Sequence, residues 1–332
     1  MANEKTIGQL PKLVWMNIRD LNEKRKVLLI ANKTILDSHF ELTSIFNNPK
    51  TLSITSSTKA DADSVLDQLD DCEVIYAVGS GRTIDVARYL ASQKNKEIIC
   101  VPTMISSDAF LVNCTGLREN QGVTYYQSKA ADMVILDWNL LGKIDKKYNI
   151  GGCGDVLSIY TGLWDWKHFD DNFSESVAIT AQGILDGMMS EVDEIAEGSQ
   201  KGLEAIINAL VMEVELCYLY GNSRPEEGAE HFFAYCVESK VEHFLHGEMV
   251  GFGILLGAFI QGQDVANMRA FMDKVGLNYR PNGLTKDIVV ETLKELPTYV
   301  KNHNLVKSVY NEFNYETNKN EINSFIDSIL IK

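Results

Sequence analysis

Between Lys26 and Val101 the chain alternates short apolar runs with amphipathic segments. Lys26–Ala31 (KVLLIA) reads as a buried strand, followed by a helical pattern from Lys33. Thr51–Ser56 (TLSITS) reads as a second strand, with a polar helix near Ala60–Leu69. Glu73–Val78 and Glu97–Val101 are a third and a fourth, with a helix between them. Strands alternating with helices build βαβ units, so the pattern predicts a parallel sheet covered by helices on both faces. Residues 110–137 break the rhythm: Thr124–Tyr126 suggests a hairpin-like excursion, and Met133–Leu136 a last strand ending at Asp137. After Tyr148 the β signal fades and helical periodicity takes over, with predicted helices over Asp155–His168, Ser174–Glu197 and Lys201–Tyr220. The organisation that follows is an α/β domain over residues 1–147 and an all-helical domain over 148–332.

Length agrees, since 332 residues at roughly 150 per domain give about two. The formal net charge of −15 repels phosphate backbones and anionic headgroups, which argues against nucleic-acid and membrane-surface binding. With 45% hydrophobic and 23% charged residues the composition is that of a globular protein. The strongest apolar stretch, Met249–Ile260, is 12 residues long with three glycines, too short to cross a bilayer. Six cysteines are scattered without a C-x-x-C pair, and the N-terminal residues run into polar sequence. These features lead us to expect a cytoplasmic protein with reduced, mostly buried thiols.

Val74–Leu90 (VIYAVGSGRTIDVARYL) is an apolar strand, a Gly79-Ser80-Gly81 turn and a helix. Backbone N–H groups at such a turn, added to the positive end of the helix dipole, suit a pyrophosphate. The G-x-G-x-x-G fingerprint is incomplete, because Ile84 stands at its third glycine. Asp85 is either a helix-start residue or a polar contact to ligand. Beyond the next strand, Thr103, Ser106, Ser107 and Asp108 fall on the same edge of the sheet, where ligands of α/β proteins bind; a helix N-cap is the alternative there.

Three of the six histidines, His231, His243 and His246, lie within 16 residues. Neutral imidazoles suit Zn²⁺, Ni²⁺ or Fe²⁺. In one unbroken helix His231 and His246 would stand about 22 Å apart. Sharing an ion therefore requires the chain to turn between them, around Ser239–Leu245. Asp155, after Gly151-Gly152-Cys153-Gly154, is the carboxylate best placed to complete a site with an open position, and an N-cap is its alternative role.

GSGRTIDVARY at 79–89, VPTMISSDAF at 101–110, GDVLSIYTGLWDWK at 154–167, SRPEEGAEH at 223–231 and HGEMVGFG at 246–253 occur in this order. Together they resemble the sn-glycerol-1-phosphate dehydrogenases, a branch of the metal-dependent alcohol dehydrogenase and dehydroquinate synthase superfamily. The resemblance runs from Lys26 to the C-terminal helices. It implies a Rossmann-like N-terminal domain and an all-α C-terminal domain, with a divalent metal (Zn²⁺ first, Ni²⁺ or Fe²⁺ as alternatives) in the cleft between them. It maps the metal ligands onto Asp155, His231 and His246 and leaves His243 a bystander. NAD(H) or NADP(H) would bind through Gly79, Ser80, Gly81 and Asp85 at the pyrophosphate and Thr103, Ser106 and Ser107 at the riboses. Asp108 would orient the substrate.

The implied reaction is the reduction of dihydroxyacetone phosphate to sn-glycerol 1-phosphate. The alternative is a metal-dependent polyol or alcohol dehydrogenase acting on another small aldehyde or ketone, such as a phosphonate aldehyde. A small phosphorylated substrate needs a basic partner, and Arg224, Lys129 and Arg118 are the candidates. Asn32-Lys33, where an acidic residue would repel a 2′-phosphate, leaves NADP open. Leu111–Asn120 departs from the family pattern and places Thr115 and Arg118 where they would act on the substrate or on the domain hinge. The apolar helices of the second half offer a surface for a homodimer.

Overall fold

The computed structural model describes residues 10–38, 44–46, 49–119, 122–170, 172–241 and 244–330. The chain divides into two compact units, Met1–Asn149 and Ile150–Lys332.

Among its described residues the first unit holds eight strands: β1 (Lys12–Trp15), β2 (Val27–Ala31), β3 (Lys50–Ser53), β4 (Val74–Gly79), β5 (Glu97–Pro102), β6 (Cys114–Glu119), β7 (Gly122–Gln127) and β8 (Met133–Leu136). Six of them form one sheet in the order β1-β8-β5-β4-β2-β3, and every neighbouring pair is parallel. Every residue of β2 and β4 is buried, as expected of central parallel strands covered on both faces. Val27, Leu29 and Ala31 share one face with Val74, Tyr76, Val78, Ile99, Val101 and Ile135, and Ile18 and Phe46 pack onto it. From β2 the chain crosses to β3 on one side, and from β4 it crosses to β5 on the other. The sheet therefore reverses direction between β2 and β4, and the crevice beyond their carboxyl ends is where such sheets bind ligands.

Strand β1 was not expected from the sequence pattern. It is a four-residue edge strand whose short apolar run, residues 13–16, precedes the alternating stretch that begins at Lys26 and is followed by no helical pattern that would mark a βαβ unit. The excursion is an antiparallel hairpin of β6 and β7, standing apart from the main sheet. Within it Thr115 is fully buried and its hydroxyl meets that of Ser128 at 2.8 Å. That internal bond gives Thr115 a role in the hairpin rather than at a substrate.

Helix α1 (Gly81–Gln93) follows the glycine turn and packs on the sheet. Its Arg88 has a fully buried side chain. The guanidinium donates to the carbonyls of Val112 and Cys114 and pairs with Asp85 Oδ1 at 2.8 Å. The bridge from α1 to the start of β6 is therefore a buried cation satisfied by two backbone oxygens and a carboxylate, the condition under which burying a charge is tolerable.

The second unit is helical among its described residues. Its longer helices are α2 (Cys153–Phe169), α3 (Glu175–Ser190), α4 (Gln200–Tyr220), α5 (Ala229–Glu238), α6 (His246–Ile260), α7 (Val265–Val275), α8 (Lys286–Asn302) and α9 (Lys319–Leu330). The helix expected over Ser174–Glu197 is two, interrupted at Glu191, where the chain caps α3 and starts the short Val192–Glu197 helix. Periodicity misses so short an interruption because the apolar positions continue across it. The apolar stretch Met249–Ile260 lies in α6, which is buried over most of its length, the fate of a helix that is hydrophobic all round. Among the described residues no helix is long and apolar enough to cross a membrane.

Replacing Arg88 tests the hairpin's anchor. Arg88→Ala leaves Asp85 and two carbonyls without their donor and should cost roughly 3–5 kcal/mol, the range for breaking a buried pair. Urea denaturation measures it; a loss below about 1 kcal/mol, the worth of an ordinary hydrogen bond, would show that other contacts hold β6 in place.

Candidate functional site

Asp155 sits in the first turn of α2, His231 in the first turn of α5, and His246 is the first residue of α6. The chain leaves helix after Glu238 and re-enters it at His246, and this turn brings the two histidines together. His246 Nε2 lies 3.5 Å from Asp155 Oδ1, and His231 Nε2 lies 4.0 Å from the same oxygen. One ligand atom from each of the three residues falls within 4.8 Å of the others. Donors around one ion, each about 2 Å from it, stand about 3–4 Å apart, so small side-chain movements close the set. His243 lies outside the described residues.

Backbone packing makes this meeting possible. A Cβ on Gly247 would stand 2.2 Å from the Gly151 carbonyl oxygen, and one on Gly154 would stand 2.9 Å from the Gly247 oxygen. The starts of α2 and α6 thus touch backbone to backbone, which only residues without side chains permit. Nearly two turns further along α6, a Cβ on Gly253 would meet the Glu230 carbonyl oxygen at 2.5 Å. This contact presses α5 onto α6 beside His231.

The donor set fits a divalent metal. Each ring turns its other nitrogen to a carboxylate: His231 Nδ1 is 3.0 Å from Glu230 Oε1, and His246 Nδ1 is 3.4 Å from Glu238 Oε1. A proton held on Nδ1 leaves the Nε2 lone pair facing Asp155, the tautomer that a metal needs. Burial opposes a positive charge on either ring. The hydrogen bond to Glu230 and the charges of Glu230, Asp155 and Glu227 outweigh it at His231, raising its pKa to about 10. Glu238 and Asp155 likewise raise that of His246. The field that favours protons at these nitrogens also favours a metal cation.

In the first unit, β4 ends at Gly79 and α1 begins at Gly81, beside the reversal point of the sheet. A Cβ on Gly79 would lie 2.7 Å from Thr83 Cβ, so the turn closes directly on the helix. Ser80 occupies the N-cap position but its hydroxyl makes no bond to the helix. The first N–H groups of α1 have no partner within the helix itself, which suits a bound anion. Gly81 faces the Ser107 hydroxyl, at 3.4 Å from where its Cβ would be, and the Thr103 N–H donates to the Gly79 carbonyl at 3.0 Å. The turn and the Thr103–Asp108 loop thus stand side by side. Thr103 is buried, while Ser106, Ser107 and Asp108 are half-buried. Asp85 is paired with Arg88, so its carboxylate is engaged on α1.

The basic candidates are placed differently. Lys129 pairs with Asp132 at 2.7 Å and donates to the Lys96 carbonyl. Arg224 is buried with Asp170 3.4 Å away, and the loss of hydration lowers its pKa. Arg118 lies in β6, its backbone bridged to Thr58. The sequence reading singled out neither Glu230 nor Glu238. Glu230 could have been noticed as the neighbour of His231 in SRPEEGAEH; Glu238 meets His246 only through the turn after α5.

A family profile described as iron-containing alcohol dehydrogenase matches residues 3–143. In sequence the chain is similar to the NAD(P)+ glycerol-1-phosphate dehydrogenase of Aeropyrum pernix, 30% identical over 229 residues, covering 67% of this chain. The chain spans 65% of that relative's length. In fold it is similar to a probable glycerol dehydrogenase from Sinorhizobium meliloti, with a TM-score of 0.75 and 17% identity over 97% of both chains. It is also similar to a 2-epi-5-epi-valiolone synthase from Streptomyces hygroscopicus solved with NAD+ and Zn²⁺ bound, with a TM-score of 0.68 and 14% identity over 99% of this chain and 98% of that one.

Protons and metal compete for the same imidazole nitrogens. Because the pKa of His231 is raised to about 10, its protonated form gains as pH falls below that value and metal binding weakens. Between pH 8 and pH 6, Zn²⁺ affinity should fall by roughly tenfold per pH unit for each proton displaced. Competition with a chelator of known pH dependence reads this, and a flat profile would remove the histidines from the metal site.

Proposed function

We propose, from the match of residues 3–143 to the iron-containing alcohol dehydrogenase profile and the similarity to glycerol-1-phosphate dehydrogenases, that the protein is a metal-assisted dehydrogenase that uses NAD(P)H to reduce dihydroxyacetone phosphate reversibly to sn-glycerol 1-phosphate. The observation that carries the reading is the convergence of Asp155, His231 and His246. One divalent ion is assigned to them: Zn²⁺ by preference, with Ni²⁺ and Fe²⁺ compatible with the same donors. We assign the protein to the cytoplasm.

In the forward direction a hydride passes from NAD(P)H to the carbonyl carbon and a proton goes to its oxygen, giving a secondary alcohol and NAD(P)+. The metal supplies a Lewis acid for that oxygen as negative charge develops on it. Asp155 gives the site an anionic ligand, and the two imidazoles present neutral nitrogens. The N–H groups of the Gly79-Ser80-Gly81 turn hold the cofactor pyrophosphate, and Asp85, one turn into the helix that follows and paired with Arg88, lies on the same side of the proposed site. Thr103, Ser106 and Ser107 supply hydroxyls to the riboses. Asp108 accepts hydrogen bonds from the substrate hydroxyls and fixes which face of the ketone meets the hydride.

The test follows nicotinamide absorbance on chelator-stripped protein reloaded separately with Zn²⁺, Ni²⁺ and Fe²⁺, comparing NADH with NADPH. Dihydroxyacetone phosphate should give a metal-dependent rate with kcat/KM about 100-fold above that for unphosphorylated dihydroxyacetone, the worth of a charged hydrogen bond at the phosphate. Equal rates for the two ketones would favour the alternative of a polyol or alcohol dehydrogenase acting on another small carbonyl compound. His246→Ala should abolish metal retention and turnover together, and full activity with an empty site would refute the assignment.

A further inference from the structure

Glu230 is a carboxylate with a fully buried side chain, one residue before a metal-ligand candidate. A lone carboxylate in that position would be strongly disfavoured by lost hydration. Each of its oxygens is engaged instead. Oε1 accepts the Gly228 N–H at 2.7 Å and faces His231 Nδ1 at 3.0 Å, while Oε2 accepts the Thr161 hydroxyl. Gly228 belongs to the turn entering α5 and Thr161 to the middle of α2. On its backbone side Glu230 is pressed by α6 at Gly253. The turn into α5, His231 and α2 therefore fix this carboxylate, and α6 fixes the backbone that carries it.

The geometry points to Glu230 as a positioning residue: it holds the His231 proton on Nδ1 and aims Nε2 at the ion, and Thr161 holds Glu230 in turn. The inference rests on the reading of Asp155, His231 and His246 as metal ligands. Glu238 stands in the same relation to His246, but at 3.4 Å and with a carboxylate partly open to solvent. The two histidines are thus unequally fixed, and most of the preorganisation lies on the His231 side.

Direct Zn²⁺ binding, measured without substrate or nucleotide, separates this from the catalytic reading. The wild-type chain and the variants Glu230→Gln, Glu238→Gln and Thr161→Val are compared by chelator competition and by the visible spectrum of the Co²⁺-loaded protein. Glu230→Gln keeps the shape and removes the charge; it should weaken Zn²⁺ by 10- to 100-fold, the usual effect of losing a carboxylate behind a ligating histidine. Glu238→Gln should cost less. Thr161→Val, which removes one hydrogen bond from Glu230, should weaken Zn²⁺ by about 2- to 10-fold. The Co²⁺ bands should shift in Glu230→Gln and stay in place in Arg88→Ala, which is destabilised in the other unit. Wild-type affinity in a folded Glu230→Gln overturns the inference; should that variant fail to fold, unchanged affinity in Thr161→Val overturns it. A wild-type chain that retains no metal overturns both this role and the metal site, whereas bound metal without turnover sinks only the proposed reaction.

Discussion

At Gly151, Gly154 and Gly247 two stretches of backbone approach so closely that a Cβ on Gly247 would stand 2.2 Å from a carbonyl oxygen. The meeting of Asp155 and His246 depends on this contact. Asp155 is one residue from Gly154 and His246 one residue from Gly247, so the side chains can meet only where the main chains already touch. A side chain at either glycine would push the two helix starts apart by more than rotamer changes recover, and the 3.5 Å approach of His246 to Asp155 would be lost. Gly253 repeats the device against Glu230 and seats His231 beside them. Small residues that look like weaknesses in α6, where glycine lowers helix propensity, are what a three-helix junction requires.

Charge is handled in opposite ways by the two units. Around the triad the chain collects carboxylates: Asp155, Glu227, Glu230 and Glu238 all raise the affinity of the histidines for positive charge. The excess of acid reaches deeper. Asp165 accepts the N–H groups of Ala229 and Val309, yet burial and then the charge of Glu230 raise its pKa to about 7. The buried guanidinium of Arg224 is one counter-charge to these acids, with Asp165, Asp170, Glu227 and Glu230 all favouring its charged form against lost hydration. The glycine turn of the other unit offers backbone N–H groups and a helix N-terminus, which favour an anion.

Much of the α/β unit was legible because central parallel strands are apolar on both faces and therefore conspicuous: β2, β4, β5 and β8 each coincide with an apolar run. Strand β1 escaped because its short run, residues 13–16, stands outside the strand–helix alternation and pairs only at the sheet edge, with β8. Among the helices, the turn between His231 and His246 follows from distance alone, since no single helix brings them to one ion. The carboxylates behind the histidines were less visible. Glu238 precedes His246 by eight residues, and their contact exists only after the intervening turn has folded back. Arg88 was unmarked because a buried cation in an amphipathic helix has no pattern of its own; its partners are carbonyls reached across the fold.

Shared architecture does not fix the reaction, because chemistry is decided by individual side chains placed on a common frame. A dehydrogenase and a synthase appear among the structures with this fold. Within this chain residues 111–119 contain the whole of β6, one strand of a separate hairpin. Thr115 is spent on Ser128 inside that hairpin, and the carbonyls of Val112 and Cys114 are spent on Arg88. Arg88 thereby ties the start of the hairpin to the helix that follows the glycine turn, so a change at Val112 or Cys114 that moved their carbonyls would leave a buried guanidinium without its acceptors, and variation there is constrained by Arg88.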